Sequence, residues 1–191
     1  MRKTALIILA DGFEEVEAVT PIDFLRRAGI EVVVAGLDKR LVTGSRAIQI
    51  QTDISLHDFQ GLPDVLILPG GKAGADRLHA SKAVSDLIQS TYKSGKIIAA
   101  ICASPAVVLL PSGVLDGKTS TCYPGFQINF GTKTHHSEER VVRDGQVITS
   151  KGPGTAAEFS YEIARALVGD EIAQKVSNAM LIHLQRSDLA K

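Results

Sequence analysis

The chain has 191 residues, 45% of them hydrophobic, which suits one domain with a sizeable core over 1–191 and a polar tail from about residue 185. Its 21 basic and 21 acidic residues balance, so the net charge does not indicate binding to nucleic acid or to an anionic membrane surface. No apolar stretch suits a signal peptide or a bilayer span, and two irregularly spaced cysteines exclude a disulfide framework, so we expect a cytoplasmic protein.

Short apolar runs alternate with longer helical stretches along the chain, a pattern typical of α/β proteins. The predicted elements are strand 4–10, helix 16–28, strand 30–36, a two-stranded ribbon over 41–51, strand 64–68, helix 82–93, strand 97–101, a short strand 119–121, a hairpin over 140–150, helix 155–168 and helix 170–180. They predict a doubly wound, flavodoxin-like domain, in which a mostly parallel sheet carries helices on both faces.

Unusual residues follow four of the predicted strands, at the sheet edge where α/β proteins bind their ligands. Glu14, Glu15 and Glu17 follow the first strand, Gly70-Gly71 follows the strand at 64–68, and Cys102 follows the strand at 97–101. The hairpin leads into a further glycine-rich turn at 152–155. With the predicted fold, these loops converge on one pocket.

Cys102 lies at a turn between a strand and a helix that we expect to begin at Ser104-Pro105, with the serine hydroxyl as its cap. A helix N-terminus there would stabilise a thiolate. The Gly70-Gly71 pair permits a close approach of backbone N–H groups. A glutamate beside the sulfur would have a raised pKa and would donate a hydrogen bond to it.

Pro21 helps to indicate which of the three glutamates would lie beside the sulfur of Cys102. It cannot donate to the carbonyl of Glu17, so either the helix is disturbed beside that residue or a new capping box begins at Thr20. Both interpretations stay open at this point.

Structural interpretations compete with the catalytic one. Cys102 suits a buried core position equally well, glutamates in a first helical turn complement the helix dipole, and Pro69-Gly70-Gly71 suits a tight turn. Cys122 is interpreted as a packing residue, and the adjacent His135 and His136 as loop residues and not metal ligands.

Taken together, these segments resemble the ThiJ/PfpI superfamily, in the branch of the Parkinson-disease protein deglycases and their YajL-like relatives. The resemblance extends to about Leu184 and rests on the segments 5–17, 26–30, 44–46, 68–71, 99–103 and 152–155. It implies that Cys102 is the reactive cysteine and Glu17 its protonated partner. The amides of Gly70, Gly71 and Ala103 would bind an oxyanion.

The same resemblance predicts further positions. Glu14, Tyr123 and Gly154 would line the pocket, and Arg27 and Arg46 would lie near the interface of a homodimer. Two departures from the superfamily pattern matter. Tyr123 stands, in a segment one residue longer, where some members have a histidine, so proton transfer falls to Glu17. Ala103 replaces the histidine of the peptidase-like branch, which argues against proteolysis.

The function implied is reactive-carbonyl defence by a glutathione-independent glyoxalase or protein deglycase, acting on methylglyoxal, glyoxal or early glycation adducts. No metal or organic cofactor is implied, and no nucleic acid or membrane partner is expected. A second hypothesis is a redox-sensing chaperone that uses oxidation of Cys102 without turnover. A third is a cysteine hydrolase or peptidase.

Overall fold

The computed structural model describes residues 2–183, so the tail predicted from about residue 185 lies outside the described residues. Within them the elements are β1 (Thr4–Leu9), α1 (Glu15–Arg27), β2 (Glu31–Gly36), β3 (Leu41–Thr43), β4 (Gln49–Gln51), β5 (Ile54–Ser55), β6 (Val65–Leu68), α2 (Lys72–Ala80), α3 (Lys82–Lys93), β7 (Ile97–Ile101), β8 (Thr119–Ser120), β9 (His135–His136), β10 (Val141–Asp144), β11 (Val147–Ser150), α4 (Ala156–Val168) and α5 (Asp170–Ala179). None of these helices is both long and apolar enough to cross a membrane.

Seven strands form the central sheet, in the order β10-β11-β7-β6-β1-β2-β5. Every neighbouring pair is parallel except β10 with β11, which form the predicted hairpin. The inner order β2-β1-β6-β7-β11 is that of flavodoxin-like folds. The strand order reverses between β1 and β6, because β2 is added on one side of β1 and β6 on the other. The predicted doubly wound, mostly parallel sheet is confirmed.

The core lies in two layers, one on each face of the sheet. Alternate residues of β1 enter different layers, Ile7 with the aromatic residues of α1 and α4, and Leu6 with the apolar residues of α2 and α3. Because the inner strands are buried on both faces, they consist of continuous apolar runs, and the sequence shows these runs clearly. Helices therefore cover both faces of the sheet, as predicted.

Helix α2 was not predicted from the sequence. It begins directly after the Gly70-Gly71 turn and contains Gly74, a residue that disfavours a helix interior by about 1 kcal/mol. Gly74 is needed because its backbone packs against the loop after β1, where a Cβ atom would lie 2.8 Å from the nitrogen of Phe13. A tertiary contact has thus overridden a local propensity.

The predicted cap at Ser104 is wrong. Ser104 already has helical backbone angles and makes no capping bond, and the five residues Pro105–Leu109 form a short π-helical turn. The buried hydroxyl of Ser104 instead donates to the carbonyl of Pro69, at 2.6 Å. This bond joins the segments that follow β6 and β7, and it satisfies a carbonyl that is out of reach of water.

Helix α1 continues through Pro21 without interruption, so no new helix begins at Thr20. The helix tolerates the proline at the cost of one internal hydrogen bond, which the carbonyl of Glu17 would otherwise accept. Pro21 is buried in the core side of α1. Its packing there, and not a helix break, is what the structure shows.

Candidate active site

Cys102 occupies a tight backbone turn at the carboxyl end of β7. Its φ of 66° lies in the left-handed region, which non-glycine residues seldom adopt. Two bonds hold this conformation: the Cys102 N–H donates to the carbonyl of Ser150 at 2.9 Å, and its carbonyl accepts from Tyr123 N–H at 2.8 Å. Such strain, held by neighbours on both sides, is typical of functional sites, and it turns the side chain away from the strand. The residue is 9% exposed.

Glu17 meets this cysteine from the first turn of α1. The side chain is fully buried, and its Oε2 accepts the N–H of Gly70 at 2.8 Å. Glu14 caps the helix by accepting the N–H of Glu17, also at 2.8 Å. The second oxygen of Glu17, Oε1, is buried and has no hydrogen-bond partner within the described residues. A buried polar atom left without a partner is costly, and it indicates a place where a ligand group can bind.

Gly70 stands between these two side chains. A Cβ atom on Gly70 would lie 2.5 Å from Cβ of Cys102, 2.5 Å from Oε2 of Glu17 and 3.0 Å from Sγ of Cys102. All three distances are shorter than a normal van der Waals contact, so only glycine allows the thiol and the carboxyl to approach each other. The Pro69-Gly70-Gly71 segment is therefore part of the site as well as a turn.

Backbone amides also face the sulfur. The N–H groups of Gly71 and Ala103 favour the ionised form of Cys102 and so act to lower its pKa. Gly71 has a φ of 82°, which glycine adopts without strain. The Gly70 amide is different, because it already donates to Glu17. Of the three amides predicted to bind an oxyanion, only those of Gly71 and Ala103 are directed at the sulfur of Cys102.

Burial governs the charge of this pair. It raises the pKa of Glu17 to about 7, against the hydrogen bonds from Cys102 and Gly70, and the charge of Glu14 adds to the rise. Burial also raises the pKa of Cys102 to about 12, reinforced by the charge and hydrogen bonding of Glu17. The expected stabilisation of a thiolate by a helix N-terminus is thus outweighed. The two groups cannot both be ionised near neutral pH, so a thiolate requires a protonated Glu17.

The loops after β8 and β11 complete the surroundings. Tyr123 lies over the backbone of Gly152, where a Cβ atom would be 3.2 Å from the ring carbon Cδ2 and 3.9 Å from Oε1 of Glu17. Gly152, which the sequence did not single out, is therefore the glycine that faces Glu17. Gly154 has no neighbour within 4 Å of a Cβ position, and its carbonyl accepts a bond from Arg140. The structure does not place Gly154 against the thiol or the carboxyl.

Of the two arginines predicted near an interface, Arg27 is the last residue of α1 and Arg46 lies next to its start. Arg27 pairs with Asp23 one turn earlier, at 3.0 Å. The backbone N–H of Arg46 donates to the buried carboxylate of Glu15, as does the hydroxyl of Ser45. Glu15 therefore fixes the turn between β3 and β4 to the start of α1, a role that the sequence did not reveal.

No group of three or more histidine, cysteine, aspartate or glutamate side chains in residues 2–183 could hold a metal ion. His135 and His136 form the short strand β9, paired with β8 instead of lying in a loop. Cys122 is buried, free and packed in the layer of α2 and α3.

Comparison with known proteins gives consistent matches over almost the whole chain. Residues 3–166 match the DJ-1/PfpI family. The Parkinson disease protein 7 homolog of Danio rerio is 45% identical over 185 residues, which cover 94% of this chain and 97% of that one. The glutathione-independent glyoxalase DJR-1.2 of Caenorhabditis elegans is 35% identical, covering 89% of this chain and 91% of that one. The crystal structure of Drosophila melanogaster DJ-1beta superposes with a TM-score of 0.90 at 44% identity, covering 96% of this chain and all of that one.

The raised pKa of Glu17 predicts a distinct dependence of stability on pH. Folding moves this pKa from 4.5 to about 7, so the folded protein binds more protons between these values and loses stability as pH rises through them. Relative to Glu17→Gln, the wild type should lose up to about 3 kcal/mol in the free energy of unfolding between pH 4.5 and pH 8. Urea denaturation across this range measures the difference.

Glu15→Gln is the matched control, because it removes a second buried carboxyl from the same helical turn. Burial opposes ionisation of Glu15, but hydrogen bonds from Arg46 and Ser45 outweigh it and lower its pKa. Ionised Glu15 therefore stabilises the folded protein at neutral pH, and this stabilisation is lost as the pH falls. Its pH dependence is the opposite of that expected for Glu17. A pH-independent difference between wild type and Glu17→Gln would contradict the assignment of a raised pKa.

The contact at Gly70 predicts a steric effect of one methyl group. In Gly70→Ala, the added Cβ must push apart Cys102 and Glu17, and we expect a loss of about 2 kcal/mol of stability. Alkylation of Cys102 by iodoacetamide, followed by intact mass, should also change in rate. Gly154→Ala is the control, since that position has open space. Equal effects of the two substitutions would contradict the close approach.

Proposed function

Because the chain belongs to the DJ-1/PfpI family, we propose that it is a cysteine-dependent enzyme that converts small 2-oxoaldehydes such as methylglyoxal into hydroxy acids without glutathione. The observation that carries this proposal is the buried carboxyl of Glu17, which lies against Cys102 and keeps one oxygen without a partner. The relative in Caenorhabditis elegans that is named a glutathione-independent glyoxalase supports the reaction class.

The first step uses Glu17 as a base. Its carboxylate takes the thiol proton as the sulfur of Cys102 attacks the aldehyde carbon, and a C–S bond replaces the C–O π bond. The alkoxide that forms is stabilised by the N–H groups of Gly71 and Ala103, which already face the sulfur. Proton transfer from Glu17 to this oxygen then gives a neutral hemithioacetal. The raised pKa of Glu17 makes its carboxylate a stronger base than an exposed one, and the raised pKa of Cys102 keeps the sulfur protonated until it attacks.

The second step moves a proton between neighbouring carbons. The carboxylate of Glu17 removes the proton from the former aldehyde carbon, and the neighbouring carbonyl oxygen gains a proton, giving an enediol. Glu17 then returns its proton to the adjacent carbon, while the hydroxyl on the sulfur-bearing carbon loses its proton and becomes the thioester carbonyl, so no proton is gained or lost overall. The product is a thioester of lactate on Cys102, at the same oxidation level as the starting adduct. Water then cleaves the thioester, releasing lactate and restoring the thiol. A pKa near 7 suits a group that must both accept and donate a proton at neutral pH.

Early glycation adducts on proteins are a related class of substrate. They contain the same hemithioacetal or aminocarbinol carbon, tethered to a side chain of another protein. The same thiol, carboxyl and amides would act on them, so we propose glyoxalase and deglycase chemistry as alternatives at one site.

A redox role is the second candidate, and one observation favours it. The two amides directed at the sulfur are hydrogen-bond donors for the oxygens of a sulfinate, and a protonated Glu17 would donate a third bond. In this hypothesis Cys102 is oxidised by peroxide in preference to Cys122, and the protein acts as a chaperone without turnover.

We also propose that two copies of the chain associate through α1. Val16 and Val19 lie on its outer face and are each 48% exposed, which is unusual for valines three residues apart on one helix. Arg27 lies at the C-terminal end of α1, and the backbone of Arg46 is hydrogen-bonded to Glu15 at its start. A reducing cytoplasm is the compartment we propose, because both cysteines are free and the chemistry requires Cys102 as a thiol.

The central test is lactate formation from methylglyoxal by metal-free protein without glutathione. Wild type should turn over repeatedly, and Cys102→Ser and Glu17→Gln should each lose at least about 100-fold in kcat/KM. Cys122→Ser, which alters the other buried thiol, should keep full activity. Activity that survives in Cys102→Ser would remove the thiol from the mechanism. No turnover by folded, reduced wild type, together with selective peroxide oxidation of Cys102, would favour the redox hypothesis.

The proposed association predicts a mass of twice 20.3 kDa in solution. Val19→Asp places a charge on the outer face of α1 and should yield monomers in sedimentation equilibrium, since a buried unpaired charge is costly. Ile128→Asp, at an exposed position on another surface, is the control and should leave the mass unchanged. Monomeric wild type at micromolar concentration would contradict the proposal.

A further inference from the structure

Tyr123 is an aromatic residue at the mouth of the site whose role is not explained by the proposed chemistry. Its backbone N–H is bonded to the carbonyl of Cys102, so the residue directly adjoins the reactive turn. Its side chain is 45% exposed, although the residues before it are buried. The ring therefore lies partly open to solvent beside a thiol that is almost covered.

The groups around the sulfur leave few directions for a bound substrate. Glu17 and Gly70 occupy one side of Cys102, and the amides of Gly71 and Ala103 occupy another. In the hemithioacetal, the oxygen of the attacked carbon faces those amides. We expect the remaining substituent of the substrate to extend toward Tyr123, an exposed neighbour whose ring lies over Gly152 near Oε1 of Glu17.

Two neighbours hold the tyrosine ring in position. Gly152 lies beneath it, and because this residue has no side chain, ring carbons Cδ2 and Cε2 come within 3.2 and 3.6 Å of its Cβ position. Phe126 packs edge to face against the ring, with centroids 6.4 Å apart and planes at 79°. Edge-to-face pairs of this kind are a favoured aromatic geometry. We call Tyr123 and Phe126 the aromatic shelf.

We propose that the aromatic shelf is a subsite for the substituent that the substrate carries next to its reacting carbonyl. On the proposed glyoxalase function, on which this inference rests, it selects 2-oxoaldehydes with an apolar or aromatic substituent over glyoxal, which has only hydrogen there. The ring carbons, and not the phenolic hydroxyl, provide the contact, since it is the ring that lies over Gly152 beside Oε1 of Glu17.

The selectivity test compares phenylglyoxal, methylglyoxal and glyoxal as substrates. In wild type, kcat/KM should rise from glyoxal to phenylglyoxal. In Tyr123→Ala, the ratio of phenylglyoxal to methylglyoxal should fall about fivefold, the size expected for one aromatic contact. Tyr123→Phe should keep the wild-type ratio, and so should Ile128→Ala, which changes an exposed residue of the same segment. An unchanged ratio in Tyr123→Ala, or an equal fall in Tyr123→Phe, would overturn the proposal.

A second measurement separates this inference from the proposed function, because it needs no turnover. In a Cys122→Ser background, the rates at which N-phenylmaleimide and N-methylmaleimide alkylate Cys102 are followed by intact mass. The aromatic reagent should be favoured, and Tyr123→Ala should reduce that preference about fivefold while Tyr123→Phe retains it. If wild type processes no 2-oxoaldehyde but shows this preference, the subsite stands and the glyoxalase function fails. If neither preference nor its loss is seen, the subsite itself is refuted.

Discussion

A carboxyl group withdrawn from water ionises only when its neighbours compensate the lost solvation, and Glu17 imposes this condition on the whole site. Gly70 supplies one N–H group, and the neighbouring thiol of Cys102 also favours the ionised form of Glu17. These contacts require three chain segments to meet within a few ångströms. The meeting is possible because Gly70 has no side chain and because Cys102 adopts a left-handed conformation. The ionisation of Glu17 therefore depends on the backbone geometry at Gly70 and Cys102.

Most of the sheet could be predicted because parallel strands are buried on both faces. Burial forces continuous apolar runs, and β7 begins and ends where its run does, at Ile97 and Ile101. Helix α2 escaped prediction for the opposite reason. Its glycine and its charged residues weaken the local signal, and the contact that stabilises it, between Gly74 and Phe13, joins residues far apart in sequence. Long-range packing of that kind produces no periodic pattern of hydrophobic residues in the sequence.

In the candidate site, too, some features could be predicted from the sequence and others depend on the folded structure. Chemistry restricts which residue types can serve as thiol and acid, and it directed attention to Cys102 and to three glutamates; the resemblance to the superfamily then selected Glu17 among them. The partners of individual hydrogen bonds could not be predicted from the sequence. Gly70 and Gly71 are adjacent and alike in sequence, yet one amide binds a carboxylate and the other faces the sulfur. Likewise, Gly152 and Gly154 belong to one turn, and only the backbone path decides which of them faces Glu17.

The short outer strands of the sheet have a consequence for behaviour under stress. A sheet edge exposes unpaired N–H and C=O groups, which can recruit another chain and start aggregation. Here one edge is β5, which has two residues, and the other is β10, which has four and carries Arg143 and Asp144. Neither edge offers a long, flat, apolar template. On the proposed function, such edges would keep the protein from being drawn into aggregates of carbonyl-modified chains.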